Sequence, residues 1–238
     1  MKTSSIHQWV LIAGVGFCAA PALAQQSRDL VAGESGISQP IPDNDPSGIV
    51  RTFTASGLAT GRPYEITVSL SVEPTGFGAF NGDYYAYLFH ETPLGSDFGL
   101  AILMNRVGSS AGMPNGYSDS GFSLTFSDSA SQDIHQYRVS LGGAPSGLVS
   151  GNWQPDGRRV DPLVSLDTSP RTAFLGPLGQ MDPNGQWTLF IADMEAGGTG
   201  KLTGWEVRAT AVVPEAPALM LLGIGSVACV AFRRRRSA

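Results

Sequence analysis

Five aspartates, Asp43, Asp45, Asp83, Asp128 and Asp193, stand beside turn-forming residues. That setting suits a hard divalent cation, which takes oxygens from loop carboxylates and backbone carbonyls. Calcium is therefore the one cofactor the chain suggests. The same aspartates serve equally as turn formers that bond their own backbone, and no EF-hand loop is present. His90 and His135 are the histidines of the central region, and its many serines could in principle complete a Ser-His-Asp triad. No Gly-x-Ser-x-Gly elbow frames a nucleophile, and Gly198-Thr199-Gly200 lacks the Lys and helix of a phosphate loop. The histidines thus read as structural, and the chain as no enzyme. Trp187 and Trp205 could stack on sugars, but each alternates with apolar neighbours, the pattern of core packing.

The two ends read as addresses. Lys2 precedes an apolar stretch from Val10 to Ala20, and Ala22-Leu23-Ala24 before Gln25 has the A-x-A form of a signal-peptidase site, so residues 1–24 are expected to be removed. Cys18 follows the bulky Phe17, a poor setting for lipoprotein acylation. At the other end, Ala216 to Phe232 is 17 residues without a charge, followed by Arg233, Arg234, Arg235 and Arg236. As a helix it would measure about 26 Å, enough to cross a bilayer, with the arginines holding the terminus inside. With Val213, Pro214, Glu215 and Pro217 ahead of it, this tail resembles the PEP-CTERM sorting signal of Gram-negative bacteria. Ala216 stands where that signal usually has its second proline, and Pro217 comes one residue late. The resemblance implies an inner-membrane precursor, processing by an exosortase-type enzyme, and delivery to the cell envelope or beyond.

Charge and cysteine content narrow the function. The segment from Gln25 to Val213 carries 10 Lys/Arg against 19 Asp/Glu, a net charge of −9. Nucleic-acid binding needs a basic face and is excluded as a class. The two cysteines, Cys18 and Cys229, lie in the terminal segments, so the body has no disulfide and no thiolate chemistry.

The elements that must position these groups are strands. Tyr64, Ile66, Val68, Leu70 and Val72 alternate with polar residues, as do Phe122, Leu124 and Phe126, then Tyr137, Val139 and Leu141, then Trp187, Leu189 and Ile191, then Trp205, Val207 and Ala209. Tyr84 to His90 and Leu100 to Val107 are apolar on both faces, the pattern of central strands. Asn81-Gly82-Asp83, Pro114-Asn115-Gly116, Gly142-Gly143 and Gly197 to Gly200 punctuate these runs as turns. The expectation is an all-β sandwich over residues 41–212, after a loose polar lead-in over 25–40 and before a sorting tail over 213–238.

Ordered landmarks give the body a resemblance of its own. Ile41-Pro42-Asp43-Asn44-Asp45-Pro46 opens it, Gly82-Asp83 precedes an aromatic strand, and Thr125-Phe126-Ser127-Asp128-Ser129-Ala130 follows. Gly185-Gln186-Trp187-Thr188-Leu189 and Gly200-Lys201-Leu202-Thr203-Gly204-Trp205 close it. Together they resemble the P/Homo B domain that follows the catalytic domain of subtilisin-type proprotein convertases. Tyr84 departs from the usual Leu, and Ser127 from the first Asp of its motif. The resemblance implies a jelly-roll-like β-sandwich that partners other domains, and it adds weight to calcium. The functional expectation is a non-catalytic envelope module binding an exopolysaccharide or another envelope protein. The rival reading is an accessory of a subtilisin-like serine peptidase system, separable by whether peptide or ester turnover depends on His90 or His135.

Overall fold

The computed structural model describes residues 29–212. The leader, its cleavage site and the sorting tail lie outside the described residues. Among the described residues, nine strands form two sheets. They are β1 (Leu30–Ile41), β2 (Asp45–Ala55), β3 (Tyr64–Thr75), β4 (Tyr84–Glu91), β5 (Phe98–Asn105), β6 (Phe122–Ser127), β7 (Val149–Trp153), β8 (Gly185–Asp193) and β9 (Thr199–Ala211). The larger sheet runs β1-β9-β3-β6-β7 and the smaller β2-β8-β4-β5. Among these nine strands, only β6 and β7 pair in parallel.

Period-two patterning builds the core. Val68 sits opposite Val207 on one side and Phe126 on the other, and Leu70 likewise lies between Trp205 and Leu124. The facing sheet contributes Tyr84, Ala86 and Leu88 of β4 with Trp187, Leu189 and Ile191 of β8, all buried. Each large apolar side chain so buried stabilises the fold by about 1.5–3 kcal/mol. Phe53 of β2 joins the layers, its ring 5.5 Å from Trp205 and 6.4 Å from Trp187.

Three local expectations are corrected. From Leu30 onward the lead-in is no loose segment, because residues 30–41 form β1, paired with β9 from Leu30↔Ala209 to Ser35↔Gly204 and, past a bulge, from Gln39↔Leu202 to Ile41↔Gly200. As an edge strand it buries little, so its stability comes from backbone pairing that no apolar stripe announces. The alternation at Tyr137, Val139 and Leu141 is not a strand but a short helix, α1 (Tyr137–Leu141), leaving Val139 and Leu141 exposed. The Asp133 side chain caps the turn before it, and Gly142 ends it in the left-handed conformation. His135 therefore lies in that turn. Finally, β5 is an edge strand of its sheet, but the chain from Asp156 to Ala173 bonds back along it: Ile102 N donates to Ala173 O at 3.0 Å and Gly157 N to Ile102 O at 3.0 Å. That strap explains the apolar character on both faces.

Candidate functional site

Alternation along β4 sends Tyr84, Ala86, Leu88 and His90 inward, and Tyr85, Tyr87 and Phe89 outward. Register then places Phe190 of β8 beside Tyr87. Their rings are 4.8 Å apart and 14° from parallel. Tyr85 lies 5.8 Å from Tyr87 and 6.2 Å from Phe190. Further along, Phe89 lies 6.1 Å from Phe98 of β5, which is 70% exposed. Val50 and Thr52 of β2 flank this row, opposite Phe190 and Thr188. Five aromatic side chains thus share the outer face of the smaller sheet. On the outward positions of its four strands, Glu91 is the single carboxylate and no Lys or Arg occurs. In a body of net charge −9 this is a nearly uncharged aromatic face, the kind of surface patch that marks an interaction site. The sequence contained the signal: the run apolar on both faces was a core face plus an aromatic outer face.

The predicted aspartates divide. Asp83 ends the turn Asn81–Asp83, and Asp193 ends β8; both are buried at one end of the sandwich. Burial, then the Asp193 charge, pushes the Asp83 carboxyl up to about 7, with Arg106 pulling the other way. Burial first and Asp43 later raise Asp193 to about 6, against hydrogen bonds from the Glu195 and Asn44 backbone. Asp193 Oδ2 has no partner, and neither does the nearby Tyr84 hydroxyl. Arg106 supplies the local positive charge, donating to Glu195 Oε1 at 2.8 Å and to the Gly82 carbonyl at 3.3 Å. Asp43 accepts from Gly197 N at 3.2 Å. Asp45 is occupied by Ser47, and Asp128 accepts from Leu175 N and Gly176 N elsewhere in the fold. The orphaned oxygen and the mutual repulsion suit a hard cation. Among the described residues, however, no three His, Cys, Asp or Glu side chains converge as ligands. Calcium there would take most of its oxygens from water and backbone carbonyls. Arg106 and Glu195 are members of this cluster that sequence spacing did not reveal.

The histidines are both buried. His135 Nδ1 lies 2.7 Å from Asp156 Oδ2, which is the His–Asp half of a triad. Its Nε2, the nitrogen that would activate a nucleophile, instead faces the Ser109 carbonyl at 3.0 Å. The Ser109 hydroxyl donates to Ser165 O at 2.9 Å. Asp156 also holds Arg158, 3.2 Å away, and accepts from Asn105 N at 3.2 Å, tying the strap to β5. His90 sits between the carbonyls of Gln186 and Asp182. Trp187 and Trp205 are buried, so neither presents a ring to solvent.

Comparison with known proteins places one part of the chain. Residues 212–236 match the family model of the PEP-CTERM protein-sorting motif. The chain is thus an exported protein bearing a C-terminal membrane-anchoring sorting signal of the exosortase type. No curated protein matches it. Among solved structures, the serine protease of Aeromonas sobria in complex with the chaperone ORF2 aligns at 14% identity and a TM-score of 0.33, over 78% of this chain and 27% of that one. The same protease alone aligns at 14% identity and a TM-score of 0.33, over 76% and 26%. The chain spans about a quarter of the length of those proteins.

Proposed function

We propose that this protein is a non-catalytic envelope or matrix module of the P/Homo B type, with jelly-roll connectivity, that binds a surface polysaccharide through the aromatic face of its smaller sheet. The kinship rests on the motifs around Trp187 and Trp205, which fall on β8 and β9 in the order that family has them. The observation that carries the binding reading is the uncharged row of Tyr85, Tyr87, Phe190, Phe89 and Phe98. Aromatic rings offer apolar faces to the C–H faces of sugars, and Thr52, Thr54 and Thr188 offer hydroxyls beside them. A membrane-surface role for the same face would call for a basic border, and beside it stands one arginine, Arg159 near Tyr85, accompanied by Asp161. The non-catalytic reading is supported by His135 Nε2 facing a backbone carbonyl.

Affinity electrophoresis through gels containing neutral polysaccharides tests this. The protein is expected to be retarded in at least one gel. Tyr87→Ala with Phe98→Ala should abolish the retardation while leaving the unfolding midpoint within a few degrees. Unretarded migration through every gel, together with failure to bind envelope polysaccharide, would sink the reading. Peptide or ester turnover lost in His135→Gln would replace it with the peptidase-related one.

A further inference from the structure

The sorting motif leaves the sandwich with no slack. Strand β9 is held on both sides, by β1 and by β3, and its pairing with β3 continues to Ala211, opposite Tyr64. Ala211 N donates to Asp29 Oδ1 at 3.3 Å, and Val212 N donates to the Pro63 carbonyl at 3.0 Å. The sorting match starts at that same residue, 212, and the apolar segment starts at Ala216. Four residues span at most about 14 Å, whatever their conformation. The membrane-anchoring segment of the precursor therefore begins within that distance of the folded edge.

Strand direction adds an orientation. Along its 13 residues β9 runs from the acidic end, where Gly200 faces Ile41, to the exit at Ala211. That is about 40 Å at the rise of an extended strand. In the other sheet, β8 starts at the exit end with Gly185 opposite Ala55 and finishes at the acidic end with Asp193 opposite Asp45. The exit end also exposes Leu94, in a left-handed turn after β4, and Phe98, opposite Glu91. Both are apolar side chains that lie outside the core. Arg62 shares this rim with Asp29, Glu91, Asp97 and Asp182, a net charge of −3.

From the tether length and the strand direction we infer that the precursor stands end-on at the bilayer: the rim of Pro63, Leu94 and Val212 faces the lipid surface, and the acidic end of Asp83 and Asp193 points away. This deepens the sorted-precursor reading and rests on it. The contact is set by the tether and by apolar side chains against a net negative rim, so rising salt does not weaken it. The aromatic wall of the smaller sheet then stands upright, open to polymer on the outer side of the membrane.

The test uses the full chain, with Cys18→Ala and Cys229→Ala, in membranes of a host that lacks an exosortase. A fluorophore is attached at Leu94→Cys on the exit rim, or at Phe77→Cys, a fully exposed site near the acidic end. Lipids carrying a headgroup nitroxide are then added. Quenching at position 94 is expected to exceed that at 77 several-fold, and to persist at high salt. Equal quenching at both positions, with the chain still resistant to alkaline extraction, means the domain lies on its side and overturns the orientation alone. Release of the chain by alkali overturns the anchored-precursor reading and the orientation with it.

Discussion

His90 lies flat against Trp187, with ring centroids 3.9 Å apart and planes 15° from parallel. The two residues are paired across β4 and β8. The His90 nitrogens bond the carbonyls of Asp182 and Gln186, and Trp187 Nε1 donates to Pro183 O at 3.0 Å. One histidine thus fixes the chain that leads into β8. His90→Ala should remove a stacking partner, leave a cavity and deprive two carbonyls of a donor. The expected loss is about 3 kcal/mol, read as a lower denaturant midpoint. His90→Gln, which can restore one hydrogen bond, should lose less.

The Asp83–Asp193 pair gives a pH signature opposite to that of an ordinary salt bridge. Both carboxyls titrate higher in the folded protein than the usual 3.8, at about 7 and about 6. The folded state therefore binds more protons, and stability falls as pH rises from about 4 through 7. Each tenfold gain in proton affinity on folding is worth about 1.4 kcal/mol, and burial is the larger cause at both groups, so the swing amounts to several kcal/mol. Thermal unfolding from pH 5 to 8 should show a declining midpoint. Asp193→Asn should raise the midpoint at pH 8 and flatten the profile. Calcium at pH 8 should raise the wild-type midpoint and leave that of Asp193→Asn unmoved. A wild-type midpoint that climbs between pH 5 and 8 would contradict the assignment.

Tyr84 and Gly200 form a second coupled pair. The Tyr84 hydroxyl is buried without a partner. A Cβ placed on Gly200 would collide with it before anything else, with Val72 and Ala79 close behind. Tyr84→Phe should therefore stabilise the protein by about 1 kcal/mol, because it removes an unsatisfied polar group. Gly200→Ala should destabilise it. In the double variant the alanine should cost less than it does alone, a non-additivity that a double-mutant cycle reads directly.

How much of this was legible in the sequence follows from where burial sits. Ile66 to Val72, Phe122 to Phe126, Trp187 to Ile191 and Trp205 to Ala209 each bury one face, so period two was enough to find their strands. The stripe at Tyr137 was too short to separate strand from helix, and the Asp133 cap and Gly142 decided it. Of the aspartates, Asp83 and Asp193 meet because β4 and β8 are neighbours, a pairing of residues far apart in the chain. Tyr84 faces Asp193 across that ladder. No local spacing encodes this, nor the recruitment of Arg106 and Glu195. The outward aromatics were visible as residues but not as a face, because only the register of β8 sets Phe190 beside Tyr87.

Strand β1 was hidden for the same reason, and its attachment makes the last prediction. Glu34 is the anchor: its carboxylate pairs with Arg51 of β2, and Oε2 accepts from Trp205 Nε1 at 2.9 Å. It thus binds the edge strand to the facing sheet and to the core indole at once. The hydrogen bonds from Arg51 and then Trp205 hold its carboxyl below the usual 4.5, so this contribution is present at neutral pH and is lost as acid protonates it. The ion pair is partly solvated and adds little by itself. The indole N–H left without an acceptor is the larger loss, so Glu34→Ala should cost about 1–2 kcal/mol. Glu34→Gln, which keeps an acceptor for Trp205, should cost less. Removing residues 25–41 altogether should do more than either, because it bares the full length of β9 as an unpaired edge. Size-exclusion chromatography should then show aggregates where the Glu34 variants stay monodisperse. A monodisperse deletion variant of undiminished stability would mean that β1 is dispensable to the sandwich.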